Sequence, residues 1–435
     1  KSMSKQELVL LLHVAGTMSG GGVFAGFIWR QYLVRSDAAR DVGLLGQFPS
    51  WYAPHPGSEA ILDRNLFHSD WMIPVVLLVF LMVMGFFRSY TLGYFFFRLC
   101  SDVEKLPFPF AAIDAQGSMA LAESGDKKTS WKWRIFSLGA AIGFAWALFA
   151  VGIPLVTGAL LAKPIIFVPI PWLDLTTVTE RFLPATPIGL TVDLGLILVG
   201  MVIPFWAVMG TGAGILLTTV MNPILHKLGI LTRWRPGMDT IATTYNNSLD
   251  FWMSFGLGVS FAIMVVSVFI TVRDLIRATR ARRAERAAAG ATVQRDNLWT
   301  PPPGRGDFPP WLALVVYLVC SFAMIMVCHK LVPQFPVIFL YIFTLVYTPL
   351  LTYIDTRLAG INGQSIQIPM LKEACVILSG YKGIDIWLAP IPLDQMSGTA
   401  QGFRVNELTG THFYSYLKVA ALTIANRNVG RAQAL

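Results

Sequence analysis

Three short stretches hold the side chains that could do chemistry. "GINGQSIQIP" (360–369) sets Asn362, Gln364, Ser365 and Gln367 among glycines and a closing proline, between two apolar runs. Amides donate and accept hydrogen bonds without ionising. "GFRVNELTGTHFYSYLK" (402–418) brings Glu407 and His412, and "DVEKLPFPF" (102–110) brings Glu104. Carboxyl and imidazole groups can take up and release protons when their surroundings shift them toward neutral pH. Each stretch has a plainer reading. Pro107 and Pro109 fix an extended backbone and end a helix, with Glu104 a solvated loop charge. The other two stretches are then ordinary loops.

Which reading holds depends on depth in a membrane. Irregular backbone within the hydrocarbon region is tolerated only where protein buries it or where it lines a watery cavity. Broken helices there also present half-helix termini that can hold ions and charged groups. The sequence has no P-loop, no dinucleotide fingerprint, no His-Glu-x-x-His and no Gly-x-Ser-x-Gly. No catalytic residue, cofactor or resident metal is therefore expected, and the chain does not read as an enzyme. The four cysteines form no Cys-x-x-Cys pair, and three of them fall in or beside apolar runs. His13 reads equally as a satisfied interhelical hydrogen bond or as a proton carrier. Arg88, inside "MGFFRSYTLGYFFF", either faces a polar cavity or snorkels to the cytoplasmic end, and snorkelling is expected. Asn246, Asn247 and Asp250 precede an apolar run, and Asp250 is expected to cap its helix.

The elements that must position these residues are membrane helices. Of 435 residues, 54% are hydrophobic and only 14% charged, where a soluble domain carries about 25%. Several apolar runs reach the ~20 residues that span a bilayer as a helix. The fold class is an all-α polytopic membrane protein, a transporter-like helical bundle with broken or re-entrant helices. Spans are expected at 7–34, 71–99, 136–161, 249–272, 311–331 and 335–353, with 187–229 crossing once or twice. The formal charge of +9 does not indicate nucleic acid, because six arginines cluster between Arg273 and Arg286 beside an apolar run. That pattern is cytoplasmic retention and lipid-headgroup attraction. With 124–134 and 273–309 in the cytoplasm, the loop 35–70 lies outside, and parity requires 187–229 to cross twice. About eight full spans and two or three broken ones result. The expected domains are an N-terminal bundle (1–272), an arginine- and proline-rich cytoplasmic linker (273–310) and a C-terminal bundle with broken helices (311–435). The sequence opens on Lys1 with no signal-peptide pattern, so the gene product is expected to begin upstream.

Taken in order, the three stretches resemble the oligopeptide transporter superfamily. "EKLPFPF" resembles its Leu-Pro-Phe-Pro motif, and "GINGQSIQIPMLKEACVILSGY" resembles its amide-rich broken segment. "FRVNELTGTHFYSYLK" resembles the following acid-Leu-Lys-x-Gly-His segment, with Glu407, Leu408 and His412 at the matching places. Thr409 and Thr411 stand where that family has lysine and glycine, and Gly363-Gln364 where it has two glutamines. The resemblance is nearest to divergent bacterial members. It implies a secondary transporter of small peptides or metal chelates in a bacterial inner membrane, driven by protons. It implies that Asn362, Gln364 and Gln367 hydrogen-bond peptide-like groups. Glu407, with His412 nearby, is the implied proton carrier, and Glu104 a second one. Implied partners are the substrate, the lipid bilayer and a homo-oligomer or membrane complex. The departures motivate one alternative from another class: a non-transporting integral-membrane scaffold subunit of a larger complex.

Overall fold

The computed structural model describes residues 4–19, 23–41, 43–122, 130–161, 163–169, 171–259, 261–263, 265–266, 269, 273, 277, 298–363, 365 and 371–429. Their regular structure is almost wholly helical, with one two-stranded ribbon pairing Leu173–Asp174 with Gly189–Leu190. Five helical stretches among them are long and apolar enough to cross a membrane: Ser69–Val103, Trp131–Leu160, Phe205–Lys227, Pro310–Leu331 and Val337–Asn362. The chain is an all-α, multi-pass membrane protein. The spans expected at 7–34 and 249–272 include residues outside those described.

Within 187–229 the structure differs from the two-crossing expectation. Leu194–Val202 has nine residues, a rise of ~14 Å against a hydrocarbon core of ~30 Å. Pro204 then interrupts the helix before the 23-residue run Phe205–Lys227 begins. Only the second helix has crossing length, because proline offers no amide to continue the ladder.

The chain divides into two compact units. The first unit comprises Lys1–Ala122, Thr271–Ile366 and Met370–Leu435, and the second Glu123–Ile270 and Gln367–Pro369. In the first unit the long helix Met72–Phe97 is the axis. Its Leu92, Phe96 and the following Cys100 recur every four residues and pack on Phe108, Tyr317, Tyr353 and Met396. Tyr94 and Phe97, on an adjoining face, pack on Phe403, Phe413 and Tyr416. Met72, Val76, Val79, Val83 and Phe87 are exposed at helical spacing and form its lipid face. Gly93 allows the closest approach: a Cβ there would stand 2.8 Å from Thr399 Cβ and 3.2 Å from the Met396 carbonyl. The loop 35–70 is not merely polar, for Tyr52, Ala53, Ala60 and Ile61 make a core with Phe27, Val34 and Trp71.

In the second unit, Ala185, Leu225, Leu231 and Trp234 form the core. The helix running into 249–259 starts at Thr240, and its cap is Asp239, which accepts from the Ala242 amide at 2.7 Å. Asp250 is therefore not the cap. It lies inside the helical run and accepts from the Arg233 amide at 2.9 Å. Asn247, 1% exposed, donates to the Ala185 carbonyl at 2.6 Å. Asp174 joins the ribbon to the Asp239 cap. The Thr240 amide at 2.7 Å, foremost, and the Thr176 amide at 2.8 Å hold its carboxyl down from 3.8 to about 2. A depressed carboxyl stabilises fully above its unfolded pKa and loses that contribution as pH falls through the folded one. Hydrogen-exchange protection of the Thr240 amide is expected to decline between pH ~4 and ~2, and Asp174→Asn to abolish that pH step.

Candidate functional site

The proline motif begins where the long helix ends. Residues Arg98–Val103 form a π turn, a local widening frequent at functional sites. Lys105 and Phe108 then take positive φ, 57° and 47°, an uncommon backbone for a bulky side chain. Phe108 is held by a contact from outside the motif. Phe108 is 1% exposed, and its amide donates to the Gly360 carbonyl at 2.9 Å. Glu104 accepts from Tyr353 Oη at 2.7 Å and from Arg357 Nε at 3.1 Å. The motif is thus a clasp on the helix Thr348–Asn362, not a free turn, and Glu104 is tied by an ion pair.

That helix is closed by Gly363, whose φ is +73° and whose amide donates a hydrogen bond to the Ala359 carbonyl at 3.1 Å. The helix end therefore falls one residue after Asn362, where the amide-rich segment starts. Leu106 and Phe110 lie so close to Gly360 and Gly363 that a Cβ at either would collide with them. Gly363→Ala is expected to cost about 1–2 kcal/mol from the left-handed backbone alone, and more from displacing the Phe110 ring. The check is thermal unfolding in detergent, with Gly380→Ala (φ +71°, nothing within 4 Å) as control for backbone strain without a clash. Asn362 is described and half-buried, while Gln364 and Gln367 lie outside the described residues.

Glu407 sits in a second ionic cluster. Arg305 Nη1 and Arg404 Nη1 both donate to its carboxylate, the latter at 2.6 Å, and Ser101 Oγ reaches it at 3.3 Å. Arg305 also holds Asp102 at 2.8 Å and Asp307 at 2.8 Å, and its guanidinium lies 5.1 Å and 5.0 Å from the Phe97 and Phe413 ring centres. Tyr94 Oη donates to Asp307 at 2.7 Å. Residues 298–309, expected as part of a flexible linker, are thereby anchored, and the Arg305 carbonyl accepts from the Phe413 amide at 3.0 Å. His412 is exposed, packed on Gly306 and stacked on Tyr414 at 5.8 Å. Among the described residues no hydrogen bond joins it to Glu407.

The π turn and the residue after it carry both clusters, with Ser101 bonding Glu407, Asp102 bonding Arg305, and Glu104 bonding Arg357. The proline motif, the end of the Thr348–Asn362 helix and the 402–418 stretch thus come together in the first unit. Sequence reasoning missed Arg305, Arg357 and Arg404. It also misplaced Arg88, which does not snorkel: it is 0% exposed and paired with Asp394 at 2.5 Å. A row of buried threonines, Thr344, Thr348, Thr352 and Thr356, was missed too, although its spacing of four is plain in "FTLVYTPLLTYIDT". A surface cavity of about 400 Å³ lined by Gln334, Pro336 and the turn 379–383 shares none of these residues.

A family model described as OPT oligopeptide transporter protein matches residues 9–385. No curated protein and no solved structure matches. The match takes in the proline motif, Arg88 and the amide-rich segment, and stops before Glu407. With most of the chain matched, and with apolar helices of crossing length, this membrane protein belongs to the OPT oligopeptide transporter family.

Proposed function

We propose that the protein is a proton-coupled secondary transporter of short peptides or metal chelates, working in a bacterial inner membrane. The observation that carries this reading is the convergence in the first unit of the proline motif, the end of the Thr348–Asn362 helix and the 402–418 stretch, through Phe108 N to Gly360 O, Glu104 to Arg357, and Ser101 and Arg305 to Glu407. Family membership supports transport of peptides as a class. The coupling ion and the substrate are the reading's own.

In this reading Asn362, Gln364 and Gln367 meet the substrate's peptide groups, since an amide can donate and accept at once. Glu407 and Glu104 are the proton-coupling carboxylates, each held by guanidinium groups from a distant segment. Protonation removes the charge that draws the guanidinium, so a proton at either site loosens a tie between segments. His412, exposed beside Gly306, is the proposed relay between water and that cluster.

Purified protein in liposomes is the test. Labelled di- and tripeptides and a peptide–metal chelate should accumulate under an imposed pH gradient, and a protonophore should collapse the accumulation. A full panel giving no uptake would transfer the assignment to a non-transporting scaffold subunit.

A further inference from the structure

Three spans of the first unit carry a buried polar group near mid-length: Arg88 in Ser69–Val103, Ser321 in Pro310–Leu331, and Thr348 and Thr352 in Val337–Asn362. All four are fully buried. Two of them, Arg88 and Thr348, bond the non-helical segment 389–396, "APIPLDQM", between the helices Asp385–Leu388 and Ser397–Thr409, and Ser321 bonds Arg88. Pro390 and Pro392 keep that segment from continuing a helix. Its carbonyls are taken up from the spans: Cys328 Sγ lies 3.0 Å from the Pro390 carbonyl, and Thr348 Oγ1 donates to the Pro392 carbonyl at 3.1 Å. Ser397, just beyond it, donates to the buried Asp355. Irregular backbone at this depth belongs where protein buries it or a cavity is lined, and transporter sites form at such breaks near the midplane.

Arg88 is the charge in this setting. Its Nε donates to Ser321 Oγ at 3.3 Å and its Nη1 to Asp394 Oδ2 at 2.5 Å, with the Tyr317 ring centre 5.8 Å away. Its Nη2 is buried and has no hydrogen-bond partner. Thr344, Thr352 and Thr356 likewise have buried hydroxyls without partners. A guanidinium is a planar fork that takes a carboxylate through two parallel bonds. Asp394 uses one prong and leaves the other empty. The two partners also differ in access, for Arg88 is 0% exposed and the Asp394 side chain 51%. Asp394 is thus a half-exposed carboxylate, on a segment without helical hydrogen bonds, engaging half of a buried receptor.

We propose that Arg88 is the seat for a substrate's free carboxylate, such as a peptide C-terminus, and that Asp394 occupies it while no substrate is bound. An arriving carboxylate takes both Nη1 and Nη2, satisfies the orphaned donor and releases Asp394 toward water. The seat is separate from Asn362, since Thr348 lies fourteen residues before it on the same helix, ~21 Å along the axis. This inference rests on the transport reading and names the substrate feature that reading lacks.

The experiment is peptide binding to the full chain in nanodiscs, using a di- and tripeptide library with free C-terminal carboxylates and the same library amidated. The wild type should bind the acids at least about tenfold tighter than the amides. Asp394→Asn should tighten acid binding severalfold and leave amide binding unchanged, because it removes the competitor. Arg88→Gln should erase the difference between acid and amide. Equal binding of acids and amides by the wild type would overturn the seat while leaving peptide transport intact. So would an Asp394→Asn variant that binds both libraries more weakly, since a purely structural pair behaves that way. Failure of both libraries to bind or be transported would overturn the peptide reading and the seat together. Where Arg88→Gln does not fold, the wild-type ratio and the monodisperse Asp394→Asn variant decide.

Discussion

Arg305→Gln should destabilise the first unit by about 3–5 kcal/mol, the range for removing one partner of a buried ionic group. The expectation comes from counting charges. Arg305, 12% exposed, contacts Asp102, Asp307 and Glu407, whose side chains are 17%, 1% and 23% exposed. Removing it leaves three carboxylates facing one another. Arg98 still contacts Asp102, and Arg404 still contacts Glu407, but no other cation pairs with Asp307 among the described residues. Among the described residues, Asp307 would keep Tyr94 Oη as its side-chain donor. Arg305→Lys should recover only part of the loss, since an ammonium cannot present the planar fork that reaches three carboxylates. Asp307→Asn added to Arg305→Gln should restore stability beyond the sum of the single changes, because the two sites share one network. The measurement is thermal unfolding in a mild detergent. An Arg305→Gln variant within about 1 kcal/mol of wild type would mean that the cluster is a solvated surface pairing.

What the sequence could and could not disclose follows from range. Membrane class, most long spans and the three polar stretches are local properties of hydropathy, proline and amide content, and they are readable in order along the chain. The partners of the charges are not. Arg305 stands 102 residues from Glu407 and 203 from Asp102, and Arg357 stands 253 from Glu104. No local pattern announces such pairs, and Arg305 sits in a Pro- and Gly-rich stretch that reads as linker. Arg88 failed for a different reason. Hydropathy gives its depth along a helix but not the direction it faces, and snorkelling and burial have the same sequence signature. The threonine row could have been found. Four threonines at a spacing of four put small hydroxyls on one helix face, a pattern that suits close packing or polar contact in a membrane. The helix break at Pro204 shows the reverse case, in which a single local residue sets where a helix begins.

Glu407→Gln should uncouple uptake from the pH gradient. In the wild type one carboxylate oxygen takes Arg305 and the other takes Arg404 and Ser101. Glutamine keeps the shape but replaces one acceptor by an NH₂ donor, which cannot receive a guanidinium N–H. One of the two arginines must let go, and this is the state that a proton on Glu407 would produce transiently. If coupling runs through this residue, fixing it in the released state stops the cycle at the proton step alone. Peptide accumulation under an imposed gradient should then fall at least about tenfold, the effect of ~1.4 kcal/mol or more on the coupled step. Exchange of external for internal peptide, which needs no net proton movement, should continue at near wild-type rate. The Arg305→Gln variant should lose both, because its defect is in holding the fold together. Glu104→Gln separates the two candidate carboxylates. It removes the ion pair to Arg357 and weakens the clasp on the Thr348–Asn362 helix, so it should lower exchange and driven uptake in parallel if Glu104 serves only to position that helix. A Glu407→Gln variant that keeps full gradient-driven accumulation would remove Glu407 from the proton route and leave it the structural centre of its cluster.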